Sequence, residues 1–228
     1  MQQNNAIVLT DGLLMTSDAK TAHGLIRGTE RFNIIGLVDG EANAGKDAGV
    51  LLDGKHRGIP VFGTTEAAIK ALEKVDYLII GVATVGGILP KNMLSLIYDA
   101  VKKGISVVNG LHEYLNDKAD LVAIAASTGA QLIDVRKPKS RADLHFWDGA
   151  IFNVTAPIVA VIGMDCAMGK RTTARMLKQA CISEGMKAEM IYTGQTGWLQ
   201  GGQYGFIFDS TLNDFVSGEL EHAIVSCW

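Results

Sequence analysis

Short apolar runs alternate with helical patterns over the first part of the chain. Several of these runs are continuous and rich in isoleucine and valine, which is typical of parallel strands buried on both faces of a sheet. The alternation predicts a doubly wound, Rossmann-like α/β domain over residues 1–135. The predicted strands are Ala6–Leu9, Asn33–Val38, Pro60–Phe62, Tyr77–Val82, Ile105–Asn109 and Gln131–Asp134.

Helical periodicity fills two of the intervals between these runs. Thr65–Lys74 carries its apolar residues on one face. Pro90–Lys103 begins with a proline, which suits a first helical turn, and Gly104 follows its last residue. Both segments therefore have the apolar face that a helix needs to pack on a sheet.

A second α/β unit, residues 157–228, is predicted after a connecting segment at residues 136–156. We expect it to be a P-loop NTPase-like domain. It is short for a domain with its own core, and the chain stops inside an apparent helix, so we expect this domain to be truncated and the natural protein to continue. The predicted elements are the strands Pro157–Ile162 and Ala188–Tyr192 and the helices Thr172–Glu184 and Glu219–Val225.

The junction after Pro157–Ile162 predicts a phosphate-binding loop. Gly163 permits a tight turn, Gly169 permits close backbone approach, and Lys170 supplies a positive charge. The helix that follows directs its unpaired N–H groups and its dipole at an anion. Without a ligand, the same pattern is an ordinary strand–loop–helix junction.

The loop departs from the common phosphate-loop spacing. Five residues rather than four separate the two glycines, and Arg171 stands between the lysine and the first hydroxyl residue. The early Asp165 gives the loop a resemblance to the dethiobiotin-synthetase branch of P-loop proteins. Cys166 could form a thiolate at the helix N-terminus, although its small size alone explains it there. The predicted cofactor-binding residues are Gly163, Asp165, Cys166, Ala167, Met168, Gly169, Lys170, Arg171, Thr172 and Thr173.

Two further segments of the second unit are candidates for ligand contact. The predicted loop after the strand at Ala188–Tyr192 should share one edge of the sheet with the phosphate loop, or it is a plain turn. Asp209 follows an apolar run and could hold Mg²⁺ together with Thr172, and Asp209 or Asp214 could act as a base; the alternative is a capping role. The predicted substrate-binding residues here are Thr193, Gly194, Gln195, Thr196 and Gly197.

The first domain offers weaker candidates. His112 follows a predicted strand and could carry a proton, or serve as a structural donor. Arg136 could pair with a substrate carboxylate, or lie solvated in the connecting segment. Asp39 ends the second predicted strand, where a ribose-binding acid would lie, but no three-glycine fingerprint accompanies it. The indication of NAD binding is therefore weak.

Composition and charge narrow the class of protein. Hydrophobic residues make up 48% of the 228 positions, with 26 glycines and 4 prolines, which suits a compact α/β protein. A net charge of −3 gives no broad reason to expect nucleic acid, and no apolar run is long enough for a membrane span. Three cysteines without metal spacing suit a reducing cytosol. We expect a cytoplasmic protein with a small-molecule substrate, no nucleic-acid or membrane partner, and homo-oligomeric assembly.

Three motifs together resemble those of one protein family. They are the loop Gly163–Thr173, the segment Tyr192–Gly197, and Asp209 followed by the segment Asp214–Glu219. That family joins a Rossmann-like N-terminal domain to an atypical P-loop domain. Its members have been assigned as D-glutamate N-acetyltransferases, which use acetyl-CoA in bacterial D-amino-acid catabolism. Members are longer than this sequence.

The resemblance implies an acyltransferase that moves an acetyl group from acetyl-CoA to the amine of an acidic D-amino acid. The phosphate loop would hold the coenzyme, and Asp209, Asp214 or His112 would act as the base. Backbone N–H groups near Gly194 or Gly169 would stabilise the oxyanion. Two other functions fit the loop: a kinase or ligase that uses ATP and Mg²⁺, and a nucleotide-sensing module.

Overall fold

The computed structural model describes residues 4–165 and 168–228. Two compact units are present. The first contains the chain up to Lys137 together with Leu199–Gly201, and the second contains Pro138–Trp198 and Gly202–Trp228. Over the described residues, no helix combines the length and the apolar character needed to cross a membrane.

The first unit contains a sheet of six strands: β1 (Asn4–Leu9), β2 (Phe32–Val38), β3 (Val61–Phe62), β4 (Tyr77–Ile80), β5 (Ser106–Asn109) and β6 (Leu132–Asp134). All pair in parallel, in the order β3-β2-β1-β4-β5-β6. This is the doubly wound Rossmann order, and it reverses between β1 and β4. The six strands predicted from the apolar runs are confirmed, each to within two residues at either end.

The described part of the same unit contains five α-helices: α1 (Lys20–Arg27), α2 (Ala48–Asp53), α3 (Thr65–Ala71), α4 (Lys91–Lys102) and α5 (Ala119–Thr128). The two helices predicted from periodicity are α3 and α4, and α3 ends earlier than expected, at Ala71. Thr64 caps α3 by accepting a 3.1 Å hydrogen bond from the amide of Ala67. Asp47 caps α2 in the same way.

The core of the first unit lies on both faces of the sheet. Ile7 and Leu9 of β1 belong to one fully buried cluster with Met93 and Ile97 of α4. Each such side chain contributes about 1.5–3 kcal/mol by leaving water. On the opposite face Gly81 packs so closely on Val8 and on Ala22 of α1 that a Cβ there would overlap both. The tight packing fixes the strand ends that carry the polar residues described below.

The second unit contains α6 (Lys170–Ser183), most of α7 (Gln195–Leu199) and α8 (Val216–Cys227). The predicted strand Pro157–Ile162 is wrong: the segment is irregular, and Val159 and Ile162 are 75% and 88% exposed. A strand forms only where a neighbour satisfies its N–H and C=O groups, and within the described part of this unit no strand lies beside it. The strand predicted at Ala188–Tyr192 is reduced to a single parallel bridge between Tyr192 and Gly205.

Residues 138–156 pack on α8 within the second unit. The buried carboxylate of Glu219 accepts hydrogen bonds from Nζ of Lys139 (2.7 Å) and from the amide and Nδ1 of His145 (3.0 and 2.8 Å). Glu221 accepts from the amides of Asp148 and Ile151. The segment that the sequence presents as a connection is therefore held to α8 by two buried carboxylates.

Candidate functional site

The phosphate loop ends at a helix N-terminus of the expected kind. Gly169 is the residue before α6 and has a left-handed backbone, φ +90°, which favours glycine. Its carbonyl accepts a 2.9 Å hydrogen bond from the amide of Thr173, so the first helical turn is regular. Thr172 and Thr173 are exposed in that turn, and Arg171 is half-buried. Hydroxyls and backbone donors thus stand at the positive end of the helix dipole.

Lys170 folds back over the loop. Its Nζ donates to the backbone carbonyl of Asp165, and a Cβ on Gly163 would lie only 3.2 Å from Cγ of the lysine. Gly163, Met168 and Gly169 are exposed, so solvent reaches this face of the loop. Two of the predicted cofactor-binding residues, Cys166 and Ala167, lie outside the described residues.

The segment Thr193–Gly197 is only partly a loop. Gln195, Thr196 and Gly197 form the first turn of α7 and are buried, so the expectation of a loop there is wrong. Gly197 lies directly against the side chain of Tyr192 and leaves no room there for a side chain of its own. Thr193 stays exposed before the helix.

Asp209 and Asp214 lie in two short 3-10 turns, Phe208–Ser210 and Asn213–Phe215, and both are exposed. The amide of Phe208 donates to the carbonyl of Thr193 at 3.2 Å, which places the turn of Asp209 beside Thr193. No group of three or more His, Cys, Asp or Glu side chains suited to a metal ion occurs within residues 4–165 and 168–228. Magnesium binding by Thr172 and Asp209 stays a prediction.

A cavity of about 430 Å³ opens at the carboxyl edge of the sheet in the first unit. Its polar lining includes Lys20 at the start of α1, Thr84 after β4, His112 after β5 and Arg136 after β6. In doubly wound sheets ligands bind at this edge, where the strand order reverses. His112 belongs to this unit, whereas Asp209 and Asp214 belong to the second.

Arg136 is buried rather than solvated, with 9% of its surface exposed. Its Nε donates to the carbonyl of Gly110 at 2.6 Å, and its Nη1 lies 3.1 Å from Nε2 of His112. A guanidinium can only donate, so Nε2 of His112 accepts and the imidazole is neutral with its proton on Nδ1. Burial, and then the nearby charge of Arg136, lower the pKa of His112, which favours the same state.

Two polar residues that sequence reasoning missed, the buried Asn109 and the half-buried Asp134, hold this edge in place. The side chain of Asn109 donates to the carbonyl of Glu113 and to Asp134, and Asp134 also accepts from the amides of Leu115 and Asn116. Asn109 ends β5 and Asp134 ends β6, so their position at the ends of predicted strands was the available signal. Lys20 was missed because α1 was not predicted.

Both carboxylate oxygens of Asp39 accept hydrogen bonds from neighbouring residues of the first unit. One oxygen accepts from Oγ1 of Thr10 (2.6 Å) and from the amides of Gly12 and Leu14 (both 3.0 Å), and the other accepts from Asn43. The residue is 1% exposed. A carboxylate that closes the loop after β1 in this way is not presented to a ribose, which agrees with the missing glycine fingerprint.

A parallel sheet in Rossmann order and a glycine-bounded lysine loop at a helix N-terminus define an α/β protein with a Rossmann-like and a P-loop domain. Residues 41–138 match the Rossmann-like domain DUF1611_N, and residues 145–228 match the P-loop domain DUF1611_C, both described as domains of unknown function. The chain belongs to the DUF1611 family.

Relatives with solved structures or curated names are similar to this chain. The crystal structure of a DUF1611 family protein from Anabaena variabilis has a TM-score of 0.88 and 30% identity, covering 98% of this chain and 63% of that one. Proteins named D-glutamate N-acetyltransferase from a Pseudoalteromonas species and from Tritonibacter scottomollicae are 31% and 34% identical over 143 and 145 residues. These two matches cover 63% and 64% of this chain and 42% of each relative.

Proposed function

We propose that this protein is an N-acetyltransferase that moves the acetyl group of acetyl-CoA to the amine of an acidic D-amino acid such as D-glutamate. The observation that carries the proposal is the similarity to two proteins named D-glutamate N-acetyltransferase. The exposed phosphate loop at the N-terminus of α6 supports it, because an acetyl donor of this kind is held through its phosphates.

The loop residues fit a phosphate-bearing coenzyme. Coenzyme A carries a pyrophosphate and a 3′-phosphate, and a cradle of backbone donors can bind either without hydrolysing it. Lys170 already lies across the loop, and the left-handed Gly169 leaves the entrance without a Cβ. Thr172 and Thr173 add hydroxyl donors in the first helical turn.

Acetyl-CoA, when bound, supplies an acetyl group activated as a thioester. Transfer would need a base that takes one proton from the substrate's ammonium group, so that the free amine can attack the acetyl carbon. The amine's second proton would pass to the sulfur of the departing thiolate as the C–S bond breaks. We assign the base to Asp209, because it is exposed and its turn lies beside Thr193, with Asp214 as the alternative. Nε2 of His112 accepts from Arg136, which leaves it poorly placed as a base. The amides near Gly194 or Gly169 would donate to the oxyanion.

The test measures thiol release from acetyl-CoA by the natural full-length protein with D-glutamate, L-glutamate and D-glutamine as acceptors. We expect release with D-glutamate, and loss of acetyl-CoA binding in Lys170→Ala. Lys187→Ala, which removes an exposed lysine outside the loop, is the matched control and should leave binding unchanged. Asp209→Asn should lower the rate of transfer without weakening acetyl-CoA binding.

The spacing of the loop favours a second candidate, a kinase or ligase that uses ATP and Mg²⁺. Calorimetric titration with acetyl-CoA and with ATP–Mg²⁺ separates the two, because only the second depends on a divalent ion that Thr172 and Asp209 would hold. Binding and turnover of ATP alone would overturn the acetyltransferase proposal. Tight binding of either ligand without turnover would favour a nucleotide sensor. Homo-oligomer formation and a cytoplasmic location stay predictions.

A further inference from the structure

We propose that Leu199–Gly201 is a strap that completes the C-terminal end of α1, so that this end of the helix stays folded only while the chain after the phosphate loop is folded. The three residues belong to the first unit, whereas the chain on both sides of them, up to Trp198 and from Gly202, belongs to the second. The first unit is therefore not built from one continuous stretch of sequence.

The last turn of α1 leaves a backbone carbonyl without a donor from the helix itself. In a continuing helix the amide of Gly28 would bond to the carbonyl of Gly24. Gly28 has φ +140°, however, and its amide donates to the carbonyl of Leu25 instead. Because Gly24 is buried, its carbonyl needs a donor from elsewhere in the fold.

The side chain of Gln200 supplies that donor. Its Nε2 donates to the carbonyl of Gly24 at 2.7 Å and to the carbonyl of Gly28 at 3.0 Å. A side-chain amide nitrogen carries two hydrogens, so both bonds form together. Gln200 is 3% exposed, and removal of its side chain would leave the buried carbonyl of Gly24 unsatisfied.

The backbone of the strap is bound as well. Oγ1 of Thr29 donates to the carbonyl of Leu199 at 2.7 Å, and the amide of Glu30 donates to the carbonyl of Gln200 at 3.1 Å. The side chain of Leu199 is fully buried. Gly201 has φ +100°, and a Cβ there would lie 2.8 Å from Cβ of Glu30, so the close approach requires glycine. Hydrogen bonds, apolar burial and close packing together hold the strap in place.

The conformation of the strap is fixed by the chain on either side of it. Leu199 is the last residue of α7, which begins at Gln195. The amide of Gly202 donates to the carbonyl of Gly197 at 3.0 Å and closes the turn that carries the strap. Unfolding of α7 or of this turn would therefore withdraw Gln200 from α1. The end of α1 then loses its donors when the flanking chain unfolds.

The strap connects two parts of the chain that carry candidate ligand contacts. α1 begins at Lys20, which lines the cavity at the carboxyl edge of the sheet. α7 begins with the predicted substrate-binding residues Gln195–Gly197. Neither contact is needed for the strap to form, so the dependence of α1 on the strap holds whatever ligand the protein binds.

The experiment follows urea unfolding of the 228-residue chain by two signals. The tryptophans, Trp147, Trp198 and Trp228, all lie in the second unit, so their fluorescence reports that unit alone. Amide hydrogen exchange at Gly28 and Glu30 reports the end of α1 and the strap, since both N–H groups are hydrogen-bonded there. We expect both amides to lose protection at the urea concentration at which the fluorescence changes. Protection that persists after the second unit has unfolded would overturn the proposal.

Gln200→Ala tests the strap directly. We expect exchange at Gly28 and Glu30 to become about tenfold faster without urea, as for the loss of a buried hydrogen bond. The amide of Gly81, which bonds to the end of β1, should exchange as in the parent protein. Gln203→Ala, at an exposed glutamine of the second unit, is the matched control and should leave all three amides unchanged.

Thr29→Val is a milder variant that keeps the test valid if Gln200→Ala fails to fold. It removes the hydroxyl that donates to the carbonyl of Leu199 but keeps the shape of the side chain, so exchange at Glu30 should rise less than in Gln200→Ala. Unchanged exchange in Gln200→Ala, or in Thr29→Val where Gln200→Ala does not fold, would overturn the proposal. An effect of Gln203→Ala as large as that of Gln200→Ala would also overturn it.

Discussion

The backbone of Gly87 packs directly on the imidazole ring of His112. A Cβ at Gly87 would lie 2.6 Å from Cδ2 of the ring, and the carbonyl of Gly87 accepts a 3.1 Å hydrogen bond from the amide of His112. Gly87 also has φ +67°, a conformation that favours glycine. The position of His112, and through it that of Arg136, therefore depends on the absence of a side chain at residue 87.

Gly87→Ala should destabilise the protein by about 2–4 kcal/mol, from the left-handed backbone and from overlap with the ring. Gly86→Ala is the matched control: its φ is +72°, but its nearest neighbour atom would be a flexible carbon of Ile88 at 3.7 Å. It should cost only about 1–2 kcal/mol, for the backbone alone. Urea unfolding measures both, and equal losses would contradict the packing argument.

Asp39 should be essential to the loop after β1 rather than to a ligand. Asp39→Asn turns one acceptor oxygen into a donor, so either Asn43 or the group of donors from Thr10, Gly12 and Leu14 loses its partner. We expect a loss of about 1–3 kcal/mol in the free energy of unfolding. The exposed Asp143→Asn should change it by less than about 0.5 kcal/mol. Similar values for the two variants would refute this role.

The sheet was predictable because its strands are buried on both faces. Runs such as Tyr77–Ile80 carry no polar residue facing solvent, so a continuous apolar run marks each strand without any knowledge of its neighbours. His112 follows the fifth predicted strand and Arg136 the last one, although the sequence left Arg136 open as a solvated residue of the connecting segment. The structure brings Nη1 of Arg136 to 3.1 Å from Nε2 of His112. Lys20 was not predicted as a site residue because α1 was not predicted, although Ala22, Leu25 and Ile26 follow the helical period of α1.

The second unit shows where this logic fails. Pro157–Ile162 is as apolar as the confirmed strands, yet a strand also needs a partner, and a single segment cannot reveal whether one is present. The polar residues Thr193, Gln195 and Thr196 led to the prediction of a ligand-binding loop, because burial cannot be inferred from composition. Gln195 and Thr196 are instead buried in α7 by packing that only the folded chain defines.

Gly218 should be required for residues 145–147 to lie on α8. A Cβ at Gly218 would overlap the carbonyl oxygen of His145 and lie 2.6 Å from the amide nitrogen of Trp147. Gly218→Ala would gain about 1 kcal/mol in helix propensity but lose more through this backbone overlap, so we expect a net loss of about 1–3 kcal/mol. Faster amide exchange at residues 145–151 would report the separation. Ser217→Ala, on an exposed neighbour, should leave exchange unchanged.

Glu219 should make the second unit sensitive to acid. Burial alone would raise the pKa of Glu219, but the hydrogen bonds from Lys139 and His145 outweigh it, and the pKa lies below its ordinary value of 4.5. The folded state then binds this proton less tightly than the unfolded chain does. The contribution of Glu219 to the free energy of unfolding is therefore fully present above pH 4.5. It decreases as the pH falls through the lowered pKa of the folded state. His222, whose pKa is lowered from 6.5 first by burial and then by His145, contributes a loss that begins at higher pH.

Glu219→Gln should lower the urea midpoint near neutral pH and flatten its decline in acid, because glutamine has no proton to gain. Glu184→Gln, which removes an exposed carboxylate next to α6, should leave both the midpoint and its pH dependence as in the parent protein. The step that begins at higher pH should persist in Glu219→Gln, since His222 still titrates, and should disappear in His222→Gln. Circular dichroism at a series of urea concentrations, between about pH 3 and pH 7, measures these curves. An undiminished acid decline in Glu219→Gln would show that other carboxylates, and not the Lys139–Glu219–His145 contact, set the acid limit of the fold.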